Sequence, residues 1–141
     1  MSDPNPPMTA DAPRVDQSLI TYTNIIYALH ALAVIIGLGS AHTIVGSFVG
    51  GMPSIVAVIM NYARRSATRG TFLESHFRWQ IRTFWYALLW SVIILLVSAP
   101  FMLVLIGFGM AWLGLVALGI WIAYRVIRGW LALRDRKPMY V

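Results

Sequence analysis

The sequence predicts an all-α fold: a polytopic helical membrane protein with four transmembrane helices as two hairpins and a central amphipathic interfacial helix. Three observations carry this expectation. Gln17–Ala63 holds 47 residues without Asp, Glu, Lys or Arg, and Thr83–Tyr124 holds another 42. Between these tracts lies the one charged interior segment, Arg64–Arg82, with five arginines against the single Glu74. The chain as a whole is 59% hydrophobic and 11% charged, with mean hydropathy +0.72, whereas soluble domains carry about 25% charged residues.

The net charge of +6 raises the question of nucleic acid, and the distribution answers it. Ten of the eleven Lys and Arg residues fall in two places, Arg64–Arg82 and Arg125–Lys137, each directly beside an apolar tract. That is how the cytoplasmic loops of membrane proteins are marked, and no nucleic-acid partner is needed to explain it. There is no cysteine, which excludes disulfides, thiolate metal sites and a cysteine nucleophile.

Residues 1–15 are polar and proline-rich and read as a disordered tail preceding a single membrane domain, 16–141. The tail lacks the basic start and short apolar core of a signal peptide, so the N-terminus is expected to be retained. Asp16 is placed to cap a helix, with Val15 and Ile20 as a hydrophobic staple. The first span, about 17–38, follows; its length covers a hydrocarbon core of about 30 Å at 1.5 Å per residue. It ends at Gly37, Gly39 and Ser40. The second span, about 43–63, contains Gly50, Gly51 and Pro53, and the missing proline N–H predicts a break or kink there.

In the central segment, Thr71 and Glu74 have the spacing of a capping box. A helix over about 71–82 places Leu73, Phe77, Ile81 and Phe84 on one apolar stripe and Glu74, Arg78 and Arg82 along its edge. His76 and Gln80 fall on the other edge. This reads as an interfacial helix with a solvated, headgroup-contacting polar side, and Trp79, off the stripe, suits the headgroup level. The second apolar tract would extend about 63 Å as one helix, twice the membrane core, so it must fold back. Ser98-Ala99-Pro100 is the strong breaker near its middle. This sets a third span at about 83–98, a kink at Pro100 and a fourth span at about 101–124. The basic segment 125–141 is expected to continue along the membrane surface through Val126, Ile127, Trp130, Leu131 and Leu133 until Pro138. With both basic segments cytoplasmic, the consistent topology is a multi-pass inner-membrane protein with both termini on the cytoplasmic side.

His30 is the most deeply placed ionisable side chain, near the middle of the first span. Such a group marks a proton path, a haem ligand or a binding site, or else is a neutral imidazole bonded to a neighbouring helix. Bis-histidine ligation of haem within the chain fits poorly: His42 lies about 18 Å further along a continuous helix and His76 is interfacial. No span carries Asp or Glu, which argues against carboxylate-based proton coupling. No metal, phosphate-loop or nucleophile motif is present, so no enzyme activity, catalytic residue, metal or cofactor is expected. Small residues form two grooves suited to close helix approach, Gly46 with Gly50 and Gly107 with Ala111 and Gly114.

The histidine in ALHAL (His30), the Gly51-Met52-Pro53 step into a short second span, the basic exit at Arg64 and Arg65, the entry FLESHFRWQIRTF with His76 and Gln80, and the basic aromatic end Arg134–Tyr140 together resemble a known family. It is the small import-channel subunit of the chloroplast inner-envelope translocon with its bacterial relatives. The resemblance covers about residues 20–140 and departs in the glycine-rich stretch between His30 and Pro53. It implies a four-helix membrane fold and assigns no activity to a bacterial member. The expected function is an inner-membrane protein acting by helix packing, with a membrane-protein partner or a second copy, and with a basic face toward anionic lipid headgroups. A small channel or carrier component is the alternative, and a haem-binding electron-transfer subunit a third.

Overall fold

The structure, a computed structural model, describes residues 15–39 and 44–139, with backbone alone for 44–50. The expected tail, His42, and the surroundings of Gly46 and Gly50 therefore lie outside the described residues. Four long helices make up the fold: α1 (Gln17–Gly39), α2 (Ile44–Arg64), α3 (Leu73–Ser98) and α4 (Ile106–Arg134), with 3-10 turns at Arg65–Thr68 and Ala99–Val104. Among the described residues there is no strand. Three helical stretches, Gln17–Gly39, Leu73–Val104 and Ile106–Arg134, are long and apolar enough to cross a membrane.

Asp16 starts α1 as its residue type suggests. Its carboxylate accepts from the Ser18 N–H at 3.0 Å and the Ser18 hydroxyl at 2.7 Å, satisfying a donor that the first helical turn leaves open. Val15 packs against the cluster that contains Ile20. The buried positions of α1 then recur every three or four residues: Leu19, Thr23, Ile26, Tyr27, His30 and Ala33. Opposite them, α2 runs antiparallel, since the Tyr22 hydroxyl donates to the Met60 carbonyl at 3.0 Å, Ile26 packs with Ala57 and His30 meets Ser54. Across the break that the sequence suggests, α2 is one continuous helix with Pro53 inside it. One missing N–H removes a single rung of the ladder and leaves the rest in place.

The central segment departs from expectation in three ways. Thr71 and Glu74 make no capping box: α3 starts at Leu73 without a side-chain cap. The Gly70 N–H donates to Glu74 Oε2 at 3.1 Å, while the Thr71 hydroxyl donates to the Thr68 carbonyl at 2.7 Å. Gly70, at φ 75°, reverses the chain just before the helix, a conformation suited to glycine, so both side chains close that turn. Next, residues 73–82 and the third span form one helix, because nothing between Arg82 and Thr83 interrupts the backbone bonds. Finally, Leu73, Phe77 and Ile81 are buried by protein rather than by lipid. Leu73 sits with Leu19, Ile20, Tyr27, Val126 and Leu133, and Phe77 with Ile26 and Ala57.

The hairpin does turn at Ser98, but residues 99–104 form a 3-10 stretch with Pro100 in its first turn. The fourth helix begins at Ile106 rather than at 101, after Leu105 in the left-handed region at φ 64°. A side chain at Gly107 would run into the backbone of Ser98, Phe101 and Met102, and one at Gly114 would lie 2.8 Å from Ile94. The small residues of α4 thus let α3 approach within the chain. α4 also does not turn onto a surface at residue 125. It continues to Arg134, with Val126 and Leu133 buried against α1.

Candidate functional site

The antiparallel bundle brings the start of α1, the end of α2, the start of α3 and the end of α4 to one end, and there the buried polar groups collect. Tyr27 and His76 are fully buried. Lys137 presents its carbonyl to His76 Nε2 at 2.7 Å, and a carbonyl only accepts, so Nε2 carries the proton. Nδ1 of the neutral ring is then an acceptor, and the Tyr27 hydroxyl donates to it at 2.8 Å. The segment after α4 is held a second time, where the Met139 N–H donates to the Ser75 hydroxyl at 2.9 Å. Tyr27 reaches this position because residue 129 is glycine: a Cβ there would lie 2.5 Å from the Tyr27 hydroxyl. Trp130 stacks on Tyr27 at 6.5 Å and donates from Nε1 to Asn24 Oδ1 at 3.0 Å.

A second group lies between α3 and α4. Arg125 stacks on Trp79 with Cζ 3.7 Å from the ring centre, and a stacked guanidinium gains from the negative face of the indole. Its Nε donates to the Thr83 hydroxyl at 2.7 Å, and Trp79 Nε1 donates to the Arg125 carbonyl at 3.2 Å. Trp79 is therefore nearly buried, because its indole is the surface on which Arg125 lies.

His30, in the middle of α1, shares a 3.2 Å hydrogen bond between Nδ1 and the Ser54 hydroxyl. Its Nε2 is buried with no partner among the described residues. Beside it is a cavity of about 330 Å³ bounded by all four helices, lined chiefly by apolar side chains with Ser54, Thr83 and Ser91 among them. The amides of Asn61 on α2 and Gln80 on α3 are likewise buried without a hydrogen-bond partner.

The structure thus separates the residues the sequence groups together. His76 and Gln80 face the interior, which corrects the solvated, headgroup-contacting reading of that edge. Glu74 and Arg78 remain outside as an exposed pair at 3.7 Å, and Arg82 is exposed. His76 has both ring nitrogens engaged, and His30 retains only Nε2, so these two imidazoles do not offer a pair of axial ligands. Tyr27, Trp79, Thr83 and Arg125 escape a reading of the sequence. The available signal was the polar spacing on α1, where Thr23, Tyr27 and His30 recur at helical intervals on one face.

A search of family models, curated proteins and solved structures finds no match to the chain.

Proposed function

We propose that the chain is a non-enzymatic, multi-pass protein of a bacterial inner membrane, related to the import-channel subunit family and its bacterial members. In this reading all four helices span the bilayer as two hairpins and both termini are cytoplasmic. The protein acts through helix packing with a membrane-protein partner or a second copy, with its basic face toward anionic headgroups. The 21 residues of α2 extend about 31 Å, enough for a fourth crossing. The observation that carries this reading is the placement of charge. Every Lys and Arg among the described residues lies at the end of the bundle where α1 and α3 begin and α2 and α4 finish. Beyond that end, exposed side chains such as Leu88, Leu89, Leu96, Phe108 and Leu113 present an apolar belt. Reporter fusions test it: those after Ser66 and Val141 report the cytoplasm, and one at Pro100 reports the opposite side. A cytoplasmic signal at Pro100 overturns the second hairpin.

A small channel or carrier component is the second reading, supported by the cavity beside His30 with its unpartnered Nε2. Solute and ion flux into liposomes holding the purified protein separates the two: flux above that of empty vesicles favours the carrier.

A further inference from the structure

We infer that the face between α3 and α4 at the basic end binds one anionic phospholipid, its phosphate on the free edge of Arg125 and one acyl chain in the cavity that begins at Thr83. This inference rests on the membrane reading above. The guanidinium of Arg125 is fixed on three sides. Trp79 covers one face at 3.7 Å, Trp121 lies 5.0 Å from Cζ, and Thr83 takes the Nε–H. What remains is the in-plane edge formed by the two Nη groups, the edge that binds phosphate through two parallel hydrogen bonds.

Among the described residues no carboxylate pairs with this group. Arg128 stands over the same Trp79 ring, with Cζ 5.9 Å from its centre, and the like charges of Arg82 and Arg128 both act on Arg125. Among the described residues the ion pairs are Glu74 with Arg78 and Asp135 with Arg134, which leaves all three of these cations without a carboxylate. Two guanidinium groups over one indole, with Arg82 acting on Arg125 as well, repel one another unless an anion is shared between them. A zwitterionic headgroup would bring its own cation into this cluster, so the charge selects an anionic lipid.

Depth and shape point to the same ligand. The stretch from Thr83 to Ser98 extends about 24 Å and that from Ile106 to Tyr124 about 28 Å, close to the thickness of the hydrocarbon core. Arg82 and Arg125 therefore sit together at its edge, where lipid phosphates lie. From Thr83 and Ile122 the cavity follows α4 past Leu118 to Leu115, about 10 Å toward the middle of the bilayer. That is the course of an acyl chain leaving a phosphate at Arg125.

The test titrates the full chain in detergent micelles with dioleoylphosphatidylglycerol and, separately, dioleoylphosphatidylcholine, reading occupancy by native mass spectrometry. One phosphatidylglycerol per chain is expected to be retained in preference to phosphatidylcholine. Arg125→Gln and Arg125→Lys should each lower its affinity about tenfold or more, since lysine keeps the charge but loses the planar fork. Thr83→Val, which frees the guanidinium plane, should lower it severalfold. Arg134→Gln removes the same charge about 13 Å further along α4 and should leave affinity unchanged. Ala87→Leu, which fills the cavity, should weaken the two-chain lipid, and glycerophosphoglycerol without chains should compete poorly. Equal retention of the two lipids, unaltered binding by Arg125→Lys, or equal loss in Arg134→Gln overturns the phosphate site. Unaltered binding by Ala87→Leu overturns the chain's place in the cavity. Wild-type protein that fails to float with liposomes, or that alkaline carbonate strips from them, overturns this inference and the membrane reading together.

Discussion

The Tyr27 hydroxyl donates to His76 Nδ1 across 2.8 Å and 49 residues of sequence, and the far nitrogen of the same imidazole holds the Lys137 carbonyl. One buried ring thereby ties α1, α3 and the segment after α4 together. Tyr27→Phe leaves Nδ1 buried without a donor, which destabilises by about 1–3 kcal/mol. His76→Ala loses both bonds and should also release the C-terminal segment. Thermal unfolding in detergent measures the first effect. Faster tryptic cleavage after Arg136 in His76→Ala, with Tyr27→Phe closer to wild type, measures the second.

The cap of α1 makes stability depend on pH in the acid range. The Ser18 hydroxyl and N–H hold the Asp16 carboxyl below its ordinary value of 3.8. A group depressed in the folded state contributes its stabilisation above the unfolded pKa and loses it as pH falls through the folded one. Wild type should therefore melt above Asp16→Ala at neutral pH, and the gap should close as the pH drops below about 4. A gap that persists at lower pH would show that the carboxylate charge is not what caps the helix.

Two glycines of α4 are expected to respond oppositely to alanine. Gly129→Ala drives a methyl group into the Tyr27 ring and hydroxyl, and overpacking of this kind destabilises by about 1–3 kcal/mol. Gly109 has nothing within 4 Å of the added carbon, so Gly109→Ala should stabilise by up to about 1 kcal/mol through helix propensity. Melting temperatures of the pair, displaced to opposite sides of wild type, are the check.

These residues also show what a sequence can convey in a chain of this kind. The charge-free tracts, the Asp16 start and the turn at Ser98 are local signals, and each appears in the structure where its residues place it. The inward faces of α1 and α4 are harder to read, because the outward positions are equally apolar and hydrophobic periodicity is lost. Polarity carries the pattern instead, through Thr23, Tyr27 and His30. The burial of His76 and Trp79 depends on groups far along the chain, the Lys137 carbonyl and the Arg125 guanidinium, so no helical wheel of α3 reveals it. The late start of α4 turns on Leu105 adopting a positive φ, which its residue type argues against.

The last prediction concerns His30. Its bond to Ser54 is long at 3.2 Å, and its Nε2 is buried without a partner among the described residues, so the imidazole gives up solvation for one modest hydrogen bond. A buried polar atom left unpaired destabilises by about 1–3 kcal/mol, against about 1 kcal/mol gained from a typical bond. Leucine at this position has comparable bulk and no polar atom to satisfy. His30→Leu should therefore fold at least as stably as wild type, with Ser54→Ala slightly below it because that change removes the bond and keeps the imidazole. If His30 serves transport through the adjoining cavity, liposome flux falls in His30→Leu while its melting temperature holds. A loss of more than about 2 kcal/mol in His30→Leu would instead mean that Nε2 has a hydrogen-bonding partner in the folded protein, a buried water being the usual one.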